Sequence, residues 1–260
     1  MAEFKQVNYV SKEGSNGNMY DFFPVDELPT GGSQYNYTLP DKKIYIRGLR
    51  IGEAKALSRI ISSDIEPTIS ELLSVYSAVI IGIDVWELTQ VDFMALITLS
   101  NLYTQSKSGW EVTEKCPYDD CGKITSKVVT LFDLEFSEPK YDSLPIIKEL
   151  SNSDKVTFII PSLKAIMEYE LVRENDGIDQ DIMSFCPEIE SINGNYDITI
   201  LEKYNYLYDL SQSDFKIVES VDDSMEITIL PVKMKCNHCK KEFDFEFSLT
   251  YQKAIPLPRL

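Results

Sequence analysis

Two pairs of cysteines constrain the fold of this chain more than any other feature of its sequence. Four residues separate Cys116 from Cys121, and two residues separate Cys236 from Cys239. The sequence on both sides of each pair alternates between apolar and other residues, which places every second side chain on the same face of a β-strand. Each pair is therefore predicted to lie in the turn of a β-hairpin.

The alternation also predicts which strand residues face a core. Val232 and Met234 lead into the second pair, after Pro231 has shifted the parity. The apolar residues that follow each pair share one parity, and we expect them to be buried. They are Ile124, Val128, Phe132, Leu134 and Phe136 after the first pair, and Phe243, Phe245, Phe247, Leu249 and Tyr251 after the second.

Four thiolates are the ligand set of a closed structural zinc site, in which zinc is tetrahedral with Zn–S distances of about 2.3 Å. We therefore expect one structural Zn²⁺ to be shared by Cys116, Cys121, Cys236 and Cys239. The two-residue spacing of the second pair is usual for such sites, and the four-residue spacing of the first is less common. One ion would then join two hairpins that are separated by residues 122–235.

Other states of these cysteines stay open at this point. The thiols could form disulfides, remain free, or bind metal only across a subunit interface. His238 could replace one thiol ligand, although a histidine inside a Cys-x-x-Cys turn is expected to point away from the metal. The fifth cysteine, Cys186, stands apart in the sequence and is expected to be a small buried apolar residue.

Charge and hydropathy exclude several classes of partner. The formal net charge of −17 argues against binding nucleic acid, which requires clustered Lys and Arg. The most apolar run, Ala78–Ile83, is too short for a membrane-spanning segment. Met1 is followed by Ala2–Lys5 without an apolar signal region, so we expect synthesis in a reducing cytoplasm. Such a compartment favours metal-bound thiolates over disulfides.

The predicted fold class is α+β. Two helical lobes each end in a cysteine-bearing β-hairpin, and the hairpins join as a zinc-ribbon-like four-cysteine site. Residues 1–40 are expected to form an N-terminal arm, residues 41–136 the first lobe with its hairpin, and residues 137–260 the second lobe with its hairpin. The two lobes could also intertwine as one domain.

The predicted arm carries one aromatic cluster among residues that favour turns. Its members are Tyr20, Phe22 and Phe23. A segment of this composition exposes apolar area unless its rings are covered. The cluster would therefore either pack against its own lobe or dock on a partner protein and become ordered on binding.

Periodicity predicts the elements inside the lobes. Thr68 and Glu71 have the spacing of a capping box at the start of one helix. The helix that follows Thr89 is apolar around most of its circumference, which predicts a central position. Asp92, in its first turn, is expected to stabilise the helix dipole rather than to act as a catalytic acid. Residues 197–210 suit either a helix or a strand.

The chain lacks the residues that most enzymes require. Its one histidine, His238, lies inside a thiol turn, which removes most acid–base and nucleophile–base arrangements. The sequence contains no phosphate-binding glycine loop and no dinucleotide motif. A zinc ion bound by four thiolates would also have no open position for a substrate. We therefore expect no enzyme activity, while a carboxylate-based hydrolase stays open as a third class.

Several stretches of the chain resemble a known family. They are Leu28-Pro-Thr-Gly-Gly32 with Tyr35, the strand-to-helix passage Ile46–Glu53 with Leu57-Ser58-Arg59, and the Val91-Asp92-Phe93 helix that leads through Tyr103 into a cysteine turn. Together with the closing Cys236-x-x-Cys239 unit, they resemble the baseplate hub assembly protein family of T4-like contractile-tailed bacteriophages. The resemblance covers most of residues 28–136 and the closing unit.

This resemblance implies a non-enzymatic structural protein or assembly chaperone. Its partners would be baseplate hub and tail proteins of the phage, and it would be made in the host cell cytoplasm. The resemblance leaves open whether the protein then stays in the tail baseplate of the virion.

The competing class is a zinc-ribbon module of the transcription or translation machinery. Lysines surround the second cysteine pair and could contact phosphates: Lys233, Lys235, Lys240 and Lys241. Charge distribution matters more than the total for such binding. The net charge of −17 still ranks this class below the baseplate protein.

Overall fold

The structure is a computed structural model that describes residues 9–13, 17–25, 28–35, 44–61, 69–104, 109–130, 133–138, 140–173, 175 and 177–247. Four residues named in the predictions lie outside this part of the chain: Thr68, Phe132, Leu249 and Tyr251. Among the residues described, no helix has both the length and the apolar character needed to cross a membrane.

The first lobe combines a sheet with three helices. The sheet is antiparallel and has the order β1-β2-β3-β4, formed by β1 (Val10–Glu13), β2 (Met19–Pro24), β3 (Tyr45–Ile46) and β4 (Ile80–Ile81). The helices are α1 (Ile51–Ile61), α2 (Ile69–Tyr76) and α3 (Gln90–Thr104). Helices α2 and α3 lie where the apolar spacing predicts them. The alternation of residues 43–47 predicts one strand, which contains β3, whereas the other three strands of this sheet were not predicted.

Helix α3 is central to the first lobe, as its apolar residues predict. Phe93, Leu96 and Ile97 are almost wholly buried. They share one core with Leu72 and Tyr76 of α2, and the ring of Tyr76 contacts Phe93 edge-on with 5.9 Å between centroids. Because this core is large and apolar, hydrophobic burial is the main force that stabilises the lobe.

The predicted N-terminal arm forms part of the first lobe over its described residues. Strands β1 and β2 make a hairpin, and β2 pairs with β3, with Phe23 opposite Ile46. Tyr20 and Phe22 are buried. The Phe23 ring stacks on Tyr103 with 4.4 Å between centroids. The aromatic cluster therefore packs against its own lobe, which is the first of the two alternatives.

The first cysteine pair lies in the turn of a hairpin, as predicted. Its strands are β5 (Trp110–Lys115) and β6 (Ile124–Val129). The predicted buried face of β6 is wrong, since Ile124 and Val128 are exposed. Thr125 and Val129 are buried instead. The reason is that the second cysteine turn packs on this face, where the amide of Asn237 donates to Thr125 Oγ1 at 3.0 Å.

The second lobe also contains a sheet, of three antiparallel strands. The strands are β7 (Ile146–Glu149), β8 (Lys155–Phe158) and β9 (Ile189–Ile192), and the helices are α4 (Leu163–Val172), α5 (Gln180–Met183), α6 (Ile200–Tyr208) and α7 (Gln212–Met225). Most of the stretch that suited a helix or a strand forms α6. The helix is favoured because Thr199 and Glu202 make a reciprocal capping box at its start.

The second cysteine pair lies in the turn of a second hairpin, formed by β10 (Val232–Lys235) and β11 (Glu242–Phe245). Here the predicted face is correct, since Met234 and Phe247 are buried. The two hairpins share one small core made of Val129, Leu134, Val232, Met234, Phe245 and Phe247. They therefore form a unit with its own core, beside the cores of the two lobes.

The two lobes also contact each other away from the hairpins. Leu163, the first residue of α4, is buried in the core of the first lobe, and its amide donates to the carbonyl of Leu88 at 2.8 Å. The segment leaving the first hairpin pairs with the segment entering the second, at a bridge between Phe136 and Ile229. The fold is thus a mixture of helix and sheet, as predicted, but neither lobe is purely helical.

Candidate metal centre

Backbone hydrogen bonds shape the turn that carries the first cysteine pair. The amide of Cys116 donates to the carbonyl of Lys123 at 2.9 Å, which extends the pairing of β5 and β6 by one residue. The amides of Cys121 and Gly122 both donate to the carbonyl of Tyr118 at 2.9 Å. Gly122 has a φ of 55°, in the left-handed region that favours glycine. This geometry turns both thiols to the same side of the hairpin end.

The second turn is tighter and is closed in a similar way. The amide of Cys236 donates to the carbonyl of Lys241 at 3.0 Å, and the amide of Lys240 donates to the carbonyl of Cys236 at 3.0 Å. The amide of His238 donates to Cys236 Sγ at 3.4 Å. An amide that points at sulfur favours the thiolate, because a hydrogen bond to the charged form stabilises that form.

The four predicted thiols lie together. Their Sγ atoms are all within 4.8 Å of one another, and none of the four cysteines is in a disulfide. Two contacts cross between the hairpins, with 3.7 Å from Cys116 Sγ to Cys239 Sγ and 3.7 Å from Cys121 Sγ to Cys236 Sγ. A disulfide requires about 2.05 Å between sulfurs. Four sulfurs at about 2.3 Å from a tetrahedral zinc would be about 3.8 Å apart, so the cluster fits this ion.

The surroundings shift the pKa values of two of the thiols in opposite directions. Amide groups, first that of Cys239 and then that of His238, outweigh burial and lower the pKa of Cys236 to about 6. Burial raises the pKa of Cys116 to about 12. A divalent cation among the sulfurs would stabilise all of them as thiolates, because metal binding displaces the thiol protons. The cluster therefore has the chemistry of a metal site.

Polar contacts between the two turns surround the cluster. The hydroxyl of Tyr118 donates to the carbonyl of Glu242 at 2.6 Å. Lys241 Nζ lies 2.8 Å from Asp120 Oδ2, so the four-residue spacing of the first pair provides a carboxylate for this ion pair. With the bond from the Asn237 amide to Thr125, these contacts align the turns. Sequence reasoning did not identify them, and only the opposite charges of Asp120 and Lys241 could have indicated one.

The other cysteine and the histidine lie where the sequence placed them. His238 is exposed, and its side chain is outside the group of close ligand atoms. Cys186 is buried in the core of the second lobe, with its Sγ 3.9 Å from the carbonyl of Ile182. Cys186 thus acts as a small apolar residue.

Asp92 has a larger structural role than the predicted interaction with the helix dipole. It is fully buried and accepts hydrogen bonds from the amide and the hydroxyl of Thr30 and from the hydroxyl of Tyr35, the last at 2.6 Å. Burial raises the pKa of Asp92 although these donors oppose the shift. Burial and the neighbouring Asp92 likewise raise the pKa of Tyr35. The carboxyl group anchors residues 30–35 to α3, and no feature of the sequence indicated this anchor.

The fold and the site define a mixed α+β protein in which a cluster of four cysteines, compatible with metal binding, joins two hairpins. A family model described as T4 bacteriophage base plate protein matches residues 33–250, and the chain belongs to this family. Comparison with curated proteins and with solved structures found no match. The resemblance to a baseplate protein of T4-like phages is therefore confirmed, and the protein is a structural protein of the phage tail.

Proposed function

We propose that this protein acts in assembly of the central hub of the baseplate, as a non-enzymatic structural protein or assembly chaperone. The family match carries the proposal, because residues 33–250 include helices α1 to α7 and both cysteine hairpins. Its partners are then hub and tail proteins of the phage. It would act in the host cell cytoplasm during assembly. If it stays in the virion, its place is the tail baseplate.

The proposed function includes one structural Zn²⁺ bound by Cys116, Cys121, Cys236 and Cys239. The Sγ separations of 3.7 Å between the hairpins support it, because they match the edge of a zinc–thiolate tetrahedron. Four protein ligands leave no open coordination position, so the ion would stabilise structure rather than activate water. The resulting arrangement is the zinc-ribbon-like site that the cysteine spacing predicts.

The zinc would fix the relative position of the two lobes. Among the residues that the structure describes, the hairpins share a core of six buried apolar side chains. We call the two antiparallel segments between the lobes and the hairpins, residues 135–137 and 228–230, the neck. In it the amide of Leu230 donates to the carbonyl of Glu135 at 2.7 Å. A metal crosslink at the far end of this neck would make the hairpin unit rigid.

The competing function, a zinc ribbon that binds nucleic acid, rests on the lysines around the second cysteine turn. Two of them have partners within the chain, since Lys241 pairs with Asp120 and Lys240 Nζ donates to the carbonyl of Asn237. With a net charge of −17, we expect only weak and steeply salt-dependent binding. A gel-shift with micromolar affinity at about 150 mM salt would reverse the order of the two candidates.

Co-purification from infected cells tests the proposed function. The tagged protein is expected to recover hub proteins of the phage baseplate, and a Cys236→Ser variant is expected to recover less of them because the hairpin unit is lost. Cys186→Ala is the matched control, since it removes a thiol outside the cluster. Recovery of polymerase or ribosomal proteins in place of tail proteins would contradict the assembly function.

A further inference from the structure

A cleft of about 380 Å³ lies where the two lobes and the neck meet. Its lining combines residues of α3, of the segment before α4, of α7 and of both neck segments. Most of the walls are apolar, formed by Val91, Met94, Phe136, Ile160, Pro161, Ile166, Met225, Ile227 and Ile229. The remaining lining residues are Gln90, Glu188, Asp222 and Glu226. The cleft is separate from the cysteine cluster.

Glu188 brings an unsatisfied carboxyl oxygen to this cleft. Its backbone is fixed, because its amide donates to the carbonyl of Phe185 and its carbonyl accepts from the amide of Ile159 at 2.9 Å. Its exposed fraction is 7%, and within the described part of the chain its Oε2 has no hydrogen-bond partner. A buried carboxyl oxygen without a partner loses its hydration and gains nothing in exchange. The described residues therefore leave this site incomplete.

A cation would satisfy this oxygen. Burial comes first among the causes that raise the pKa of Glu188 to about 10, followed by the side-chain hydrogen bond with Asp222 and the charge of Asp222. Glu188 therefore carries a proton at neutral pH, which a bound cation would displace. Glu226 adds a third carboxylate, and the described residues that line the cleft include no Lys, Arg or His. A positive charge placed between Glu188 and Asp222 would offset both the burial and the repulsion.

The walls indicate which kind of cation fits. Ca²⁺ and Mg²⁺ need oxygen ligands or water on all sides, whereas most of the walls of this cleft are apolar. A Lys or Arg side chain combines an aliphatic stem, suited to apolar walls, with a charged end that donates several hydrogen bonds. Cleft and side chain thus match in apolar character and in charge.

We propose that this cleft binds a Lys or Arg side chain presented by a partner protein. The aliphatic stem lies against the walls near Phe136 and Ile160, and the charged end reaches Glu188 and Asp222. The proposal rests on the proposed assembly function only for the identity of the partner. The cleft itself can be tested without that partner.

The test is a calorimetric titration of the full-length protein with n-butylguanidinium, a mimic of the end of an arginine. N-butylurea, which has nearly the same shape and no charge, is the matched control ligand. Saturable binding of the cation is expected for the wild type, with affinity about tenfold or more lower for Glu188→Gln, because a charge-assisted hydrogen bond is lost. Asp223→Asn makes the same change from carboxyl to amide at an exposed neighbour outside the cleft lining and is expected to bind like the wild type.

Several results would overturn the proposal. These are no saturable binding, equal binding of butylurea, or equal weakening by Asp223→Asn and Glu188→Gln. Binding that becomes about tenfold tighter when both Lys253 and Arg259 are changed to Gln would show that the chain's own C-terminal segment occupies the cleft. If the wild-type protein sediments as a dimer and butylguanidinium dissociates that dimer, the Lys or Arg side chain belongs to a second copy of this chain. Loss of hub proteins in co-purification alone would contradict the assembly function and leave the titration unaffected.

Discussion

The first lobe and the pair of cysteine hairpins are stabilised in different ways. Counted over the described residues, the core of the first lobe has eighteen buried apolar side chains, whereas the hairpins share six. Hydrophobic burial scales with the apolar area removed from water, so the larger core stabilises its lobe without a crosslink. Units as small as the hairpin pair usually need a metal or disulfides to fold. The comparison shows why the cysteines lie at the hairpins and not in the lobe.

The two regions also differ in their polar contacts. The first lobe buries a carboxyl group, Asp92, among hydroxyl and amide donors. The hairpins are joined by contacts on their surface, such as the ion pair of Lys241 with Asp120. Surface ion pairs stabilise little, because water and salt screen them. In the hairpin region, the four thiols are thus the feature with the largest expected effect.

Loss of one thiol ligand is expected to have the largest effect, confined to the hairpins. Structural zinc contributes about 10–16 kcal/mol of apparent folding free energy in zinc-finger peptides. Cys236→Ser is therefore expected to abolish zinc binding and amide protection in β5, β6, β10 and β11. Protection of α3 is expected to persist. Elemental analysis and hydrogen exchange measure both, with Cys186→Ala as the control. If the hairpin amides stayed protected in Cys236→Ser, the hairpins would not depend on the thiol cluster, and the contrast between the two regions would be wrong.

Truncating the core of the first lobe is expected to destabilise that lobe and to leave the zinc site of the hairpins intact. Phe93 is fully buried, so Phe93→Ala should lower the free energy of unfolding of this lobe by about 3–5 kcal/mol. Zinc content should stay at the wild-type value. Urea unfolding followed by α3 amide exchange gives the first quantity and elemental analysis the second. Phe93→Leu, which leaves a smaller cavity, should cost clearly less. Loss of zinc in Phe93→Ala would mean that the two regions fold as one.

Removing the buried anchor of the first lobe is expected to have an intermediate effect. Asp92→Asn leaves one acceptor oxygen where the carboxyl group has two, at a cost of about 2 kcal/mol. Asp84→Asn, at an exposed cap, is the control and should cost much less. Denaturant melts of the two variants provide the measurement. Equal losses of stability in Asp92→Asn and Asp84→Asn would contradict the anchoring role of Asp92.

The pH dependence of the Asp92 variant follows from the direction of its pKa. Burial raises the pKa of Asp92 in the folded protein. The stabilisation linked to this group is therefore fully present below its unfolded pKa and is lost as the pH rises through the folded value. The difference in stability between wild type and Asp92→Asn is expected to be larger at about pH 4 than at about pH 8. If the difference in stability between wild type and Asp92→Asn increased with pH, the raised pKa of Asp92 would be contradicted.

Breaking the surface ion pair is expected to have the smallest effect. Lys241 and Asp120 have side-chain exposures of 47% and 65%, so solvent screens their attraction. Lys241→Ala should leave zinc content unchanged and lower the melting temperature no more than Lys233→Ala does. Any small difference should disappear in high salt. A loss of zinc in Lys241→Ala would show that the turn contacts, and not the thiols, determine the geometry of the site.

The sequence predicts those elements whose pattern is local. The helical spacing of apolar residues located α2 and α3, and the alternation around the cysteines located both hairpins. The spacing of Cys236 and Cys239 in one turn identified half of the thiol cluster, and the second pair of cysteines completed it. Each of these features depends on residues that are close together in the chain.

Features that depend on distant residues could not be predicted. The buried face of β6 is set by Asn237, 112 residues away from Thr125. In the sheet of the first lobe, Phe23 of β2 pairs with Ile46 of β3, which lies well beyond it in the chain, so no local pattern in the predicted arm indicated this pairing. Glu188 is one of many carboxylates in the sequence, and only the fold shows that its oxygen is buried without a partner.

X-ray absorption at the zinc edge tests the central claim most directly, because it reports the atoms bound to the metal. If Cys116, Cys121, Cys236 and Cys239 bind one Zn²⁺, protein purified without added metal contains one zinc per chain, with four sulfur neighbours at about 2.3 Å. Protein that contains no zinc, or a spectrum with nitrogen or oxygen neighbours at about 2.0–2.1 Å in place of sulfur, would contradict the claim.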